Sequence, residues 1–274
     1  LLGIERLRGE DQLLRAPLAG SAGALDPRTG DLLATIPLGT SPTSIAVGEG
    51  SVWVLDADDR TVSQIDPRKR TLVRTFSTGS TPTDLAVGAG ALWIGNGVPQ
   101  ARTALPESVS RFDPESDVVD GTIPLSRASG AALVWVPRGD LKPHVAVTDA
   151  AVWVVNPDLS VSRIDPRTNR VVAGVAGVRA VSIAAGEGEV WVVNDQGEVV
   201  EIDPRTNVAS KPIPVAAESL TALAVGAGAV WVTDPVGGKT VSRISGASRF
   251  QGAALLASNV IAERLSPCPE TALT

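Results

Sequence analysis

Short polar clusters recur along this chain at places where their side chains could bind a polar ligand or a cation. Their members are Asp56, Asp58 and Asp59, then Asn96, Asn156 and Asp158, then Asn194 and Asp195, and finally Asp234. Carboxylate and amide oxygens accept hydrogen bonds and can coordinate Ca²⁺. Asn and Asp also form turns readily, so each of these residues can equally serve to shape a loop.

A second group of candidates combines an aromatic side chain with cationic ones. Arg127, Trp135, Arg138 and Lys142 lie within one segment of 18 residues, 126–143, and His144 directly follows it. A tryptophan beside Arg and Lys can form a recognition patch for a partner. The alternative is that Trp135 fills the core beneath this segment.

Several kinds of catalytic centre are excluded by residue type. The chain has one histidine, His144, and one cysteine, Cys268, so it can form neither a multi-histidine nor a cysteine-based metal site. A lone histidine is more often structural than catalytic. No nucleophile elbow, P-loop or dinucleotide-binding glycine motif is present. Asp84 is the only acidic residue of the segments expected to line the axis, which is a weak cation site. We therefore predict no catalytic residue, no metal and no cofactor.

Charge and hydropathy narrow the possible partners. The 274 residues carry a net charge of −6, which argues against a nucleic-acid binder and against docking on anionic lipid. No apolar run approaches the roughly 20 residues of a membrane-spanning helix, so we predict no membrane insertion by this segment. The chain contains no Met, and we expect it to be a processed or excised piece.

The elements that position these residues are repeated. A hydrophobic residue followed by Asp-Pro occurs five times, at Asp26, Asp66, Asp113, Asp165 and Asp203, with spacings of 40, 47, 52 and 38 residues. A tryptophan flanked by aliphatic residues recurs at Trp53, Trp93, Trp153, Trp191 and Trp231. A short segment such as Ile45-Ala46-Val47-Gly48 precedes four of these five tryptophans. Such a period is the signature of a repeat architecture.

Each unit is predicted to form four short strands, a to d. In residues 44–77 these are Ser44–Val47, Ser51–Leu55, Thr61–Ile65 and Thr71–Phe76, rich in β-branched residues and bounded by turn formers. The Asp-Pro pair suits a type I turn between strands c and d. Four-stranded units of about 40 residues predict an all-β fold, a β-propeller.

The number of blades depends on the termini. Ala22–Leu25 and Leu32–Leu38 are predicted to be strands c and d, and Leu255–Leu265 could supply their a and b partners. We therefore prefer six blades closed by strands from both termini, with five or seven as alternatives. The predicted organisation is an N-terminal linker or arm at 1–20, the propeller at 21–266 and a C-terminal tail at 267–274.

Two segments carry a family resemblance. Residues 43–54 (TSIAVGEGSVWV) and 161–169 (VSRIDPRTN) resemble bacterial YVTN-type propeller repeats, relatives of the virginiamycin B (streptogramin) lyases. The resemblance covers residues 22–246. It implies an extracytoplasmic location, as in exported sensor parts of larger proteins. The lyases are expected to use histidine and a divalent metal at the central face, but this chain offers only His144.

In a propeller, the b–c and d–a loops emerge on one face. The extra residues near 97–106 and 126–143 fall in a b–c and a d–a loop of neighbouring units, so we expect them to form one raised lobe there. Acidic b–c loops beside the basic second insertion would suit a small polar ligand or a protein partner. We predict a non-enzymatic binding propeller. The alternatives are a streptogramin-lyase-like C–O lyase acting on a cyclic lactone peptide, and a purely structural interaction module.

Overall fold

The computed structural model describes residues 19–26, 28–97, 107–116, 118–125, 144–215, 222–234, 240–245 and 263–264. Within these ranges every regular element is a β-strand, and none of the described residues forms a helix that could cross a membrane. The first two described strands, β1 (Ser21–Leu25) and β2 (Leu32–Pro37), form a hairpin. The strands that follow build five sheets in chain order.

Each of these five sheets is one blade, numbered here from 1 to 5. Blade 1 contains β3 (Pro42–Gly48), β4 (Ser51–Asp56), β5 (Thr61–Asp66) and β6 (Thr71–Ser77). Blade 2 contains β7 (Pro82–Gly88), β8 (Ala91–Asn96), β9 (Ser108–Asp113) and β10 (Val118–Pro124). Blade 3 contains β11 (Val145–Thr148), β12 (Ala151–Val155), β13 (Val161–Asp165) and β14 (Arg170–Val175).

The last two blades have irregular outer strands. Blade 4 contains β15 (Ala180–Gly186), β16 (Glu189–Asn194), β17 (Glu198–Asp203) and an outer strand split into β18 (Val208–Ala209) and β19 (Ile213–Pro214). Blade 5 contains β20 (Ala222–Gly226), β21 (Ala229–Asp234), β22 (Thr240–Ser245) and β23 (Glu263–Arg264). Neighbouring strands within every blade are antiparallel, and the first strands of consecutive blades lie side by side. This arrangement is an all-β propeller with four-stranded blades, as the repeat predicts.

The Asp-Pro turns behave as their sequence predicts. In each of the five turns, the aspartate Oδ1 accepts the backbone N–H two residues further on, at 2.8 Å. The fifth residue takes a positive φ in Gly30, Asn169 and Asn207, at 77°, 54° and 59°. This conformation accompanies a bulge between strands c and d, seen between Arg163 and Ile164. These aspartates are therefore turn formers.

The repeated tryptophans form the contacts between blades. Each lies on the second strand of its blade, opposite an alanine of the first strand, as Trp53 lies opposite Ala46. Trp53, Trp93, Trp153 and Trp191 are at most 1% exposed. Each joins a hydrophobic cluster with the following blade, as Trp53 does with Leu85. The prediction of equivalent b-strand positions is confirmed for all five. Trp231 in blade 5 is only partly buried.

Close approach of neighbouring blades requires glycine at the end of strand a. A Cβ added to Gly48 would lie 2.6 Å from Val87, and one added to Gly88 would lie 2.8 Å from Val147. A Cβ added to Gly186 would lie 2.8 Å from the backbone oxygen of Val225. A larger side chain at these positions would push adjacent blades apart, because real Cβ atoms do not approach other atoms so closely.

The preferred count of six blades is wrong for the part of the chain that the structure describes, which forms five blades and the β1–β2 hairpin. The predicted closure placed Leu255–Leu265 as the a and b strands beside β1. Instead, Glu263–Arg264 pairs with β22 and supplies the outer strand of blade 5. The hairpin packs on blade 1, where Ile36 clusters with Val54 and Ile65.

The burial of the tryptophans leads to a graded prediction for stability. Trp93→Ala should lower the free energy of unfolding by about 3–5 kcal/mol, because it removes a fully buried ring and leaves a cavity. Trp231→Ala should have a smaller effect, since that ring is already partly exposed. Urea unfolding followed by circular dichroism measures both. An equal loss from the two substitutions would contradict the contact between blades described here.

Candidate functional site

The loops between strands b and c and those between blades meet on one face of the propeller, named here the loop face. The Thr78 N–H donates to the Arg60 carbonyl at 2.9 Å, and the Ala180 N–H donates to the Leu159 carbonyl at 2.8 Å. Both bonds join a b–c loop to the connection that follows the same blade. In blades 1 and 3 the two kinds of loop therefore lie side by side, as the alternating strand directions predict.

Four of the predicted binding residues occupy one structural position, the end of strand b or the residue after it. Asp56, Asn96, Asn156 and Asn194 are between 3% and 7% exposed. The Asn156 amide donates to the Ser160 hydroxyl at 2.8 Å, and its Oδ1 accepts the Ser162 hydroxyl at 3.0 Å. Their side chains thus point into the protein, where they hold the b–c loops.

The other three members of this position make equivalent bonds. The Asn96 amide donates to the Ser110 hydroxyl at 2.9 Å. The Asn194 Oδ1 accepts the Glu198 N–H at 2.8 Å, and Asp56 accepts the Ser41 N–H at 2.8 Å. Buried polar groups with such partners stabilise the loop conformation. The interpretation of these residues as loop formers therefore has direct structural support.

The exposed charges of the loop face come from other residues. Asp58 is exposed between β4 and β5. Arg179, before β15, donates from Nε to Asp195, after β16, at 2.7 Å. This hydrogen bond and the negative charge of Asp195 raise the pKa of the Arg179 guanidinium above its ordinary value. Asp234 ends β21, but its side chain lies outside the described residues.

The predicted lobe can be located only by its flanks. Arg127, Trp135, Arg138 and Lys142 all lie in segment 126–143, outside the described residues. Leu125, which precedes this segment, donates its N–H to the carbonyl of Glu107, which follows the other insertion, at 2.9 Å. The two insertions therefore leave the sheet at adjacent points of the loop face. Their contact with each other stays a prediction.

A polar network joins the first strands of blades 1, 2 and 3. Asp84 is 4% exposed; it accepts the Ser44 hydroxyl at 2.9 Å and the N–H groups of His144 and Val145 at 2.7 and 2.9 Å. Burial raises the pKa of Asp84, while these hydrogen bonds oppose the increase. His144 is 1% exposed, so its ring is enclosed by protein. Asp84, which the sequence ranks as a weak cation ligand, connects three blades.

Blade 4 places two carboxylates, Glu189 and Glu201, beside Trp191. In blades 2, 3 and 5 an arginine of strand c lies over the tryptophan, for example Arg163 at 5.6 Å from the Trp153 ring. Glu201 has this position in blade 4, opposite Trp191. The Trp191 N–H donates to Glu189 at 2.9 Å. Burial, together with the charges of Glu189 and Asp203, raises the pKa of Glu201 to about 7.

Sequence reasoning passed over this pair, although an alignment of the repeats displays it. Glu201 stands where three other blades have Arg and blade 1 has Gln64. The described ranges contain no group of three or more His, Cys, Asp or Glu side chains arranged to hold a metal.

Comparisons with known proteins agree on the fold. No family model and no curated protein matches the chain. The WD40 domain of Neurospora crassa Pan2 is similar in structure, with a TM-score of 0.57 and 12% identity over 79% of this chain and 67% of that one. BamB from Moraxella catarrhalis is similar with a TM-score of 0.53 and 13% identity, over 86% of this chain and 73% of its own. At such low identity these similarities show a β-propeller and no particular function.

The buried amides lead to a prediction that separates structural from exposed polar residues. Asn156→Ala should lower the free energy of unfolding by about 1–3 kcal/mol, because Ser162 loses a buried partner. Asp58→Ala should change it by less than about 0.5 kcal/mol, as is usual for an exposed residue. Urea denaturation measures both values. Equal stabilities for the two variants would show that the amide does not hold its loop.

The raised pKa of Glu201 predicts a dependence of stability on pH. Because the folded state keeps its proton up to about pH 7 and the unfolded state loses it near 4.5, the stability contributed by this group is complete below pH 4.5. It is lost as the pH rises through 7. Because solvent screens this partly exposed carboxyl group, we expect the free energy of unfolding to fall by only about 1–2 kcal/mol between pH 4.5 and 8.

Glu201→Gln should abolish this loss, since glutamine has no proton to release and blade 1 already accommodates Gln64 at this position. The measurement is urea unfolding of both proteins across that pH range. Glu115→Gln, in an exposed turn of blade 2, is the control and should keep the pH profile of the unsubstituted protein. A Glu201→Gln variant with that same profile would place the titrating group elsewhere.

Proposed function

We propose that this chain is a non-enzymatic binding propeller that holds a polar or charged partner, most simply a protein, on its loop face. The observation that carries the proposal is that some polar residues of this face are buried and others are exposed. The side chains of Asn96, Asn156 and Asn194 are buried and hydrogen-bonded within the protein. Asp58 and the Arg179–Asp195 pair, in contrast, present charge to solvent. Variable charged loops on a rigid scaffold are a common setting for recognition.

The rigidity of the loops supports a role in binding. The Asn194 Oδ1 accepts the Gln196 N–H of its own b–c loop, and the Asn156 amide donates to the Ser160 hydroxyl of its loop, so these two loops are held before any partner arrives. The Asn96 amide donates to the Ser110 hydroxyl on strand c of its blade. A preorganised surface loses little conformational entropy on association. Oppositely charged positions on such a rim favour correct orientation and rapid encounter of a charged partner.

The more specific parts of the proposal rest on the repeat resemblance. It suggests a YVTN-type, virginiamycin B lyase-like propeller that acts as the exported sensor or interaction part of a larger protein. Segment 126–143 is then the first candidate for partner contact, with Arg127, Trp135 and Arg138 as its anchors. Asp56, Asn96, Asn156, Asn194 and His144 would act by shaping the surface rather than by touching the partner, since all five are buried.

The lyase alternative needs a base that can reach its substrate. The ring of His144 is enclosed, which argues against this role in the conformation described. Incubation with a cyclic lactone peptide provides the test, because elimination would open the ring at unchanged mass and leave a new alkene and a carboxyl group. We expect no ring opening. Opening that is lost in His144→Ala would establish the lyase.

Site-specific photo-crosslinking tests the position of the binding face. A photoreactive phenylalanine derivative placed at position 58 or 196, both exposed on the loop face, should capture the partner in lysate of the source cells. The same group at position 69 or 205, where the side chains are 79% and 85% exposed in the opposite turns, is the control. Capture from positions 69 and 205 alone would move the site to the other face.

A deletion distinguishes the lobe from the rest of the loop face. A variant with segment 126–143 shortened to the length of the other d–a connections should lose most of the crosslinking at position 58 while its circular dichroism stays unchanged. Undiminished crosslinking in this folded variant would move the contact to the remaining b–c loops, beginning with Asp58, Asp195 and Asp234.

A further inference from the structure

The arginines that lie over the repeated tryptophans differ in how their positive charge is balanced. In blade 2, the Arg111 guanidinium lies 6.0 Å from the Trp93 ring and forms an ion pair with Asp120 of strand d. In blade 3, the Arg163 guanidinium lies 5.6 Å from the Trp153 ring. No carboxylate of the described residues forms an ion pair with Arg163. Blade 3 therefore has the cation of this arrangement without its counter-ion.

The difference between the two blades lies at one position of strand d. Asp120 is the extra residue of the bulge in β10, where the register with β9 shifts beside Arg111. Val172 is the extra residue of the matching bulge in β14, where the register with β13 shifts beside Arg163. The two strand pairs have the same register, so blade 3 presents an aliphatic side chain where blade 2 presents a carboxylate.

The bonds that Arg163 does make are few. Its Nη1 donates to the Asn207 Oδ1, in the c–d turn of blade 4, at 3.4 Å, which is long for a hydrogen bond. Its Nε is buried without a hydrogen-bond partner, and so is the indole N–H of Trp153. In blades 1, 2 and 5 that indole N–H donates to a glycine carbonyl, as Trp93 does to Gly88 at 3.1 Å. The Trp–Arg pair of blade 3 thus lacks acceptors, which costs free energy.

The aspartates of the adjoining turns are engaged elsewhere. Asp165 accepts the Arg167 N–H within its own turn at 2.8 Å, and Asp203 accepts the Arg205 N–H in the same way. Each also lies 3.8 Å from the Nε of that same arginine. Neither carboxylate therefore serves as the counter-ion of Arg163.

We propose that Arg163, lying on the Trp153 ring at the rim between blades 3 and 4, binds a carboxylate group that the described residues do not supply. The planar N–H groups of a guanidinium match the two oxygens of a carboxylate. Asp120 shows that the repeat has room for a carboxylate beside the arginine. The side chain of Arg163 is partly exposed, so a ligand can reach it from solvent.

The ligand is a small carboxylic acid or an Asp or Glu side chain of a partner protein, because both carry the required group. The site lies toward the c–d turns, since Arg163 reaches the turn of blade 4 through Asn207. The c–d turns are at the opposite end of the strands from the b–c loops. The site is therefore separate from the loop face, and it does not depend on the proposed function.

Nuclear magnetic resonance of the full chain labelled with ¹⁵N-arginine tests the proposal. The Nε atoms of Arg163 and Arg111 are both buried, so their N–H signals should exchange slowly with water and be observable. Arg163→Lys and Arg111→Lys assign the two signals. Titration with sodium acetate at constant ionic strength should shift the Arg163 signal until it saturates. The Arg111 signal should stay in place, because Asp120 already occupies that site.

Exchange of the two bulge residues provides the matched variants. Val172→Asp supplies the carboxylate within the chain and should weaken acetate binding at Arg163 at least about tenfold. Val73→Asp adds the same charge at the bulge of blade 1, where the side chain is 56% exposed compared with 55% for Val172. This control should change the affinity less than about twofold. Asp120→Val removes the ion pair of blade 2 and should make the Arg111 signal respond to acetate.

Four results would overturn the proposal. They are an Arg163 signal that does not saturate with acetate, an unchanged affinity in folded Val172→Asp, an Arg111 signal that stays insensitive in Asp120→Val, and tighter binding of inorganic phosphate than of acetate. The Asp120→Val result decides if Val172→Asp does not fold. A blocked tripeptide, N-acetyl-Gly-Glu-Gly-amide, distinguishes the two sources. Binding at least about tenfold tighter than that of acetate assigns the carboxylate to a partner protein, and equal or weaker binding assigns it to a small acid.

Discussion

A four-stranded blade has two apolar faces and can bury them only against other blades, and the whole structure follows from this constraint. Each buried tryptophan of strand b covers one face of its own blade and meets the aliphatic first strand of the next. The alanine opposite the tryptophan leaves room for the indole, and Gly48 or its equivalent lets the neighbouring strand approach. Repetition of this unit produces the radial arrangement without any other long-range information.

The same packing explains how the propeller supports varied loops. Because the sheets are held by buried apolar contacts, the ends of strand b are fixed in space, and a buried asparagine then holds the b–c loop in blades 3 and 4. Asp58, beyond that position in blade 1, is exposed. Charge such as that of Asp58 or the Arg179–Asp195 pair can therefore change from blade to blade without loss of the fold.

Sequence patterns predict the strands, the turns and the positions of the tryptophans well, because each depends on local residue type repeated five times. The preferred count of six blades is wrong for the described residues because the C-terminal segment lacks the repeat markers, so its pairing depends on contacts that no local pattern encodes. The binding residues are harder still. Asn156 and Asp58 are similar in type and in position along their units, and only burial distinguishes a loop anchor from an exposed charge.

Departures from the repeat carry the remaining information, since the other blades act as internal controls for each one. Glu201 replaces an arginine over tryptophan and acquires a raised pKa. Asp84 replaces Ser44 and connects three blades through a buried carboxylate. Such departures stand out in a repeat protein because the regular version of each position occurs elsewhere in the same chain.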